Sequence, residues 1–168
     1  MLHITDATTP DDFAAVRQLA WTYRDFLASL PPPDDVVTTF AYEPEAYAKL
    51  LDNLETLHAP DTGAVKLARL DDVPVGCGML QTIAPGDGEI KRLFVSDAAR
   101  GSGAGRALMM ALIDAARGLG LTRLLLDTGR PLTKAQRLYR SIGFQECDPY
   151  WSAPDNIAPR LVFFELKL

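Results

Sequence analysis

The stretch Glu89 to Gly105, EIKRLFVSDAARGSGAG, constrains this chain more than any other. It passes from an apolar strand pattern through a turn of small residues into the start of a helix. Three glycines, Gly101, Gly103 and Gly105, lie between Arg100 and Arg106. The first N–H groups of a helix have no partner within it, and the helix dipole places partial positive charge there. Small residues let a ligand approach that backbone closely. One glycine would serve a tight strand-to-helix turn, so three in so short a stretch predict an anion cradle suited to phosphate or pyrophosphate. Arg100 and Arg106 would add charge-assisted bonds.

The elements around this turn follow from periodicity and punctuation. Leu2 to Thr5 predicts a short strand. Thr9, Pro10 and Asp12 form a helix start, and Phe13, Val16, Leu19, Ala20, Tyr23, Leu27 and Leu30 give that helix one buried stripe. Pro31-Pro32-Pro33 ends it, residues 34–43 read as a loop, and Pro44 opens a second helix that reaches His58. A histidine there reads as a favourable charge at a helix C-terminus. Residues 64–70, 73–83 and 89–95 predict three consecutive antiparallel strands, with a hairpin at Asp71-Asp72 and a turn at Pro85 to Gly88. Gly76 and Gly78 within the second of them signal a bulge or a close backbone approach. A helix over 104–119, an apolar strand over 122–127, a helix over 133–142 capped by Gly143, and strands over 144–151 and 160–168 complete the chain. The sheet is therefore mixed: antiparallel early, and parallel where strand 89–95 connects through a helix to strand 122–127.

At 168 residues this is one domain, 1–168, long enough for a real core. No apolar run approaches the roughly 20 residues that cross a bilayer. The N-terminus lacks the form of a signal peptide, so a cytoplasmic protein is the expectation. Cys77 and Cys147 stand apart from each other and from any histidine cluster, which predicts free thiols and no metal. The net charge of −5 hides an asymmetry: residues 91–140 carry ten Lys/Arg and three Asp, a balance of +7, and the remainder carries −12. A basic centre in an acidic chain fits a localised anionic ligand, not a general nucleic-acid surface.

Two phosphate-binding motifs can be set aside. No GxxxxGK[S/T] occurs, since Arg106 follows the last glycine. A dinucleotide fingerprint would place an acid near Asp127, but the spacing is GxGxG, and the surrounding elements cannot supply a six-stranded doubly wound sheet.

Arg100-Gly101-Ser102-Gly103-Ala104-Gly105 resembles the (Gln/Arg)-x-x-Gly-x-(Gly/Ala) signature of the GCN5-related N-acetyltransferases, the GNAT superfamily. Leu138-Tyr139-Arg140-Ser141-Ile142-Gly143-Phe144 is similar to that superfamily's later helix-to-strand motif, and the likeness is strongest over residues 64–150. The resemblance implies an α/β fold with a mixed sheet, about seven strands and four helices, in which strands 89–95 and 122–127 are parallel and splayed. It implies acetyl-CoA as cosubstrate, no metal, and a primary amine as acceptor. Leu93, Phe94 and Val95 would pair with the pantetheine arm. The backbone of Arg100, Gly101, Ser102, Gly103, Ala104, Gly105 and Arg106 would hold the pyrophosphate. An N–H of the 93–95 segment would polarise the thioester carbonyl.

The implied reaction is direct attack of the amine in a ternary complex. An amine with a pKa near ~10.4 must first lose a proton, and Glu89 is the candidate base, with Glu146 and Asp148 as rivals. Tyr139 stands where the superfamily commonly places the acid that protonates the leaving thiolate. Leu132 departs from the pattern, since many relatives carry Asn there; Thr133, Lys134 or Arg137 are the available substitutes. The acceptor pocket would draw on Trp21, Tyr23, Arg24, residues 31–40, Tyr150 and Trp151, with Asp34, Asp35 and Glu43 attracting a cationic amine. A small-molecule acceptor is the leading expectation, with a protein terminus or lysine, or a CoA-binding sensor without turnover, as alternatives. Neither nucleic acid nor a membrane is an expected partner, and assembly as a homodimer is left open.

Overall fold

The computed structural model describes residues 1–168. One seven-stranded sheet runs through the molecule in the order β1-β2-β3-β4-β5-β7-β6. The strands are β1 (Leu2–Asp6), β2 (Gly63–Leu70), β3 (Val73–Ala84), β4 (Asp87–Val95), β5 (Arg123–Gly129), β6 (Gln145–Glu146) and β7 (Leu161–Lys167). The helices are α1 (Pro10–Ala28), α2 (Val36–Ala41), α3 (Pro44–Asp52), α4 (Leu54–Leu57), α5 (Ala104–Gly118) and α6 (Thr133–Ile142). This is the expected mixed α/β architecture, with two short helices added.

Helix α1 starts on a complete capping box. The Thr9 side chain accepts from Asp12 N, and the Asp12 carboxylate accepts from Thr9 N. Its stripe Phe13, Val16, Leu19 and Ala20 packs with Tyr47 and Leu51 of α3 against Val65, Leu67, Cys77 and Met79 of the sheet. The opposite sheet face packs on α5 through Leu80, Ile90, Leu124 and Leu126 against Met109, Leu112 and Ile113. Gly78 sits beneath α5, where an added Cβ would lie 2.9 Å from both Leu112 Cδ1 and Leu93 Cδ1. The close approach expected of this glycine is what the helix requires.

Four local expectations change. Residues 36–41 form α2, despite their β-branched composition, because Val36 and Val37 pack on the cluster of Ile157, Leu161 and Phe163. The second helix breaks at Asn53, whose amide donates to Lys49 O at 2.8 Å and closes α3. His58 is not an exposed terminal charge: it is buried, with Nδ1 2.9 Å from Leu80 O. The strand expected over 144–151 is reduced to β6, since Pro149 has no N–H and restricts Asp148 before it.

The centre of the sheet positions the site. Strands β4 and β5 are parallel, but their register runs only from Asp87–Arg123 to Glu89–Leu125. Beyond Glu89, β4 continues to Val95 with a strand partner on its β3 side alone. A bulge against β3, where the register slips between Cys77–Phe94 and Met79–Lys91, helps turn it away. Arg92 lies in that bulge with φ 51°, in the left-handed region.

Candidate active site

Side-chain alternation follows from the register. Glu89 and Leu125 are opposite one another, so Asp127, two residues on, emerges on the same face as Glu89. The segment after β6 folds over that face and inserts Tyr150 and Trp151. The Tyr150 hydroxyl lies 2.7 Å from Glu89 Oε2 and 3.3 Å from Asp127 Oδ2. Trp151 Nε1 donates to the same Asp127 oxygen at 3.0 Å. Glu89, buried, also accepts from Gln81 Nε2 at 3.1 Å and pairs with Lys91 Nζ at 3.0 Å. Burial, and then the charges of Asp127 and Glu89, push the Tyr150 phenol far above its ordinary value, so it stays protonated.

Two cavities occupy the gap between β4 and β5. The smaller, about 70 Å³, lies on the α1 and α2 side and is lined among others by Asp34, Tyr42, Lys91, Arg92, Asp127 and Arg160. The larger is a groove of about 820 Å³ between the end of β4, the glycine turn and the start of α6. They share Tyr23, Leu93, Thr128, Pro131 and Tyr139. Tyr139, on α6, packs edge-on to Phe164 and tilted against Phe144. Burial raises its phenol above the ordinary value, Asp127 adds to this, and Thr128 offsets part of it.

The glycine turn forms the floor of the groove. Gly101 and Gly103 have φ of 81° and 85°, and a Cβ at either would meet nothing within 4 Å. Gly103 is the N-cap of α5 and supplies no side-chain cap. The N–H groups of Gly101, Gly103, Gly105 and Arg106 have no acceptor within the protein. This is a row of unpaired donors at the positive end of a 15-residue helix.

The acetyltransferase (GNAT) family model matches residues 14–144. The chain belongs to the GNAT family. It is 40% identical over 120 residues to a protein of Azospirillum brasilense described as "IAA acetyltransferase", spanning 71% of this chain and 76% of that protein. Its fold is similar to that of an acetyltransferase from Streptococcus agalactiae, with a TM-score of 0.76, 20% identity and coverage of 99% and 98% of the two chains. It is also similar to the PaiA N-acetyltransferase of Thermoplasma acidophilum, solved in complex with coenzyme A, with a TM-score of 0.70, 16% identity and coverage of 100% and 99%.

The GNAT groove fits a pyrophosphate-bearing ligand on this chain's own features. The unpaired N–H groups and the empty space over Gly101 and Gly103 are what such a group needs. Leu93, Phe94, Val95, Arg100, Gly101, Gly103, Ala104, Gly105 and Arg106 all line it. Ser102 does not; its hydroxyl donates to Ala99 O at 2.7 Å and braces the turn. Arg100 is paired with Asp97 at 2.5 Å, and Arg106 donates to Ser141 Oγ at 2.6 Å. Leu132, Thr133 and Lys134 line the groove, and Arg137 does not.

Glu89 lines neither cavity and reaches the smaller one through Tyr150 and Asp127. Of its rivals, Glu146 is exposed and paired with Arg140, and Asp148 is exposed and lines neither cavity. Of the acceptor-pocket residues, Tyr23 and Asp34 line the small cavity, whereas Trp21 packs on Tyr47 and Glu43 caps α3 through Glu45 N and Ala46 N. Sequence reasoning set Asp127 aside with the dinucleotide motif and gave Arg92 and Arg160 no role. Asp127, an acid closing an apolar strand beside the splayed pair, carried a signal; Arg160 carried none.

Proposed function

We propose that this GNAT acetyltransferase moves an acetyl group from acetyl-CoA to the primary amine of a small molecule by direct attack in a ternary complex. The observation that carries this reading is the meeting of the two cavities at Tyr139 and Leu93, one suited to a phosphate-bearing donor and one to a compact polar acceptor. In the reaction the amine nitrogen bonds to the thioester carbonyl carbon, the C–S bond breaks, and the amine gives up a proton. Asp127 stands on the wall of the acceptor cavity and takes that proton. The Tyr150 hydroxyl can then accept from Asp127 while donating to Glu89, which leaves the proton on Glu89 as the base. Tyr139, protonated at neutral pH, supplies a proton to the departing thiolate. A backbone N–H on the unpartnered side of β4 serves the carbonyl oxygen.

Release of free thiol from acetyl-CoA, followed across a panel of small amines, tests the reading. Amine-dependent release supports it. Tight CoA binding with no release from any amine would leave a binding module in its place. Transfer to a peptide N-terminus or lysine, with none to small amines, would shift the acceptor class.

A further inference from the structure

The charged groups around the small cavity pair off, with two exceptions. Lys91 is held by Glu89 at 3.0 Å, and Arg160 Nη1 lies 3.6 Å from Asp34 Oδ1. Arg92 has no carboxylate within 4 Å. Its Nη1 lies 3.6 Å from Met79 Sδ, its guanidinium sits 5.8 Å from the centre of the Tyr47 ring, and its Nε is buried without any partner. Arg160 Nε, on the same cavity, is likewise buried and unpaired. A cation withdrawn from water without a counter-ion is costly, and the thioether and ring replace little of its hydration. Arg92 also keeps φ at 51° within the β4 bulge, a left-handed conformation that is strained in a non-glycine residue. The second exception is Asp127, whose recorded partners, Tyr150 and Trp151, are neutral donors. The cavity thus presents one spare positive and one spare negative group.

We infer that the acceptor is a small amino carboxylate, whose carboxylate binds Arg92, with Arg160 Nε as a further donor, while its amine faces Asp127. This rests on the acetyl-transfer reading and names its acceptor. A guanidinium meeting a carboxylate in a partly desolvated site makes a strong charge-assisted bond, and a plain amine would leave Arg92 unpaired. The volume of about 70 Å³ suits a compact molecule.

The test compares matched pairs under identical conditions: alanine with ethylamine, tyrosine with tyramine, ornithine with putrescine, each assayed by thiol release from acetyl-CoA. At least one amino carboxylate should exceed its decarboxylated partner in kcat/KM by about tenfold or more, the equivalent of about 1.4 kcal/mol. In Arg92→Gln, and less so in Arg160→Gln, that ratio should collapse toward one through a rise in KM. Equal or better turnover of the plain amines by the unmodified enzyme overturns the inference and leaves acetyl transfer standing; this arm needs no variant to fold. Thiol release from no amine of either kind overturns both.

Discussion

Glu89 and Asp127 lie on adjacent strands that have begun to part, and one hydroxyl joins them: Tyr150 stands 2.7 Å from the first and 3.3 Å from the second. A phenol carries one proton, so at any instant it donates to only one of them. That makes Tyr150 a switchable link between a carboxylate on the cavity wall and one behind it.

Removing the link should therefore mimic removing its far end. Tyr150→Phe and Glu89→Gln should each lower kcat/KM by about tenfold or more, and the double variant should be little worse than either. Strict multiplicativity of the two losses would show that the residues act apart.

Tyr139→Phe keeps the ring packed on Phe144 and Phe164 and deletes the donor. We expect kcat to fall about 10²-fold with KM for acetyl-CoA little changed. Because burial raises the phenol above its ordinary value, loss of its proton should not limit the unmodified enzyme between pH 7 and about pH 9. An unchanged kcat in the variant sinks the acid assignment.

Gly103 and Gly120 allow a paired experiment. Both have positive φ, 85° and 72°, and an added Cβ at either meets nothing within 4 Å. Each Ala substitution should cost about 1–2 kcal/mol in urea denaturation, from backbone strain alone. Only Gly103→Ala should also weaken CoA binding, by about tenfold in calorimetry, since its methyl enters the space over the unpaired N–H groups. Equal CoA affinities in the two variants would falsify the cradle.

His58 makes stability depend on pH. Its Nδ1 faces a carbonyl oxygen, which can only accept, so Nδ1 carries the proton of a neutral ring. Burial holds its pKa below the ordinary 6.5. The unfolded chain then binds more protons as pH falls below about 6.5, and stability drops in that window at up to about 1.4 kcal/mol per pH unit. Urea midpoints measured from pH 7.5 to pH 5 should fall more steeply for the unmodified protein than for His58→Gln; parallel slopes would exclude His58 as the source.

Local signals explain what could be read in advance. Helix 133–142 and its Gly143 cap lie where periodicity and a left-handed glycine place them. Asp71 and Asp72, with φ of 49° and 66°, make the expected hairpin. The capping box at Thr9 needed four residues to recognise. The remainder depends on distant partners. Helix α2 forms because another part of the chain covers it. His58 is neutral because Leu80 meets it. The role of Asp127 emerges only when the β4–β5 register puts it beside Glu89, and Arg92 stands out only once the ion pairs around the cavity are seen to leave it out.

The short seam between β4 and β5 has a mechanical consequence. Its end is clamped by Arg123, which grips Asp87 through two bonds of 2.9 and 2.6 Å, away from both cavities. Past Glu89 the two strands behave as the arms of a lever. The six residue steps from Glu89 to Val95 span about 20 Å, so a rotation of about 3° at Glu89 shifts the far end by about 1 Å. An offset of that size is enough to cost a reaction about 10²-fold through misalignment. An ion pair that touches neither cavity is thus the part that sets the gauge of the gap in which the chemistry happens.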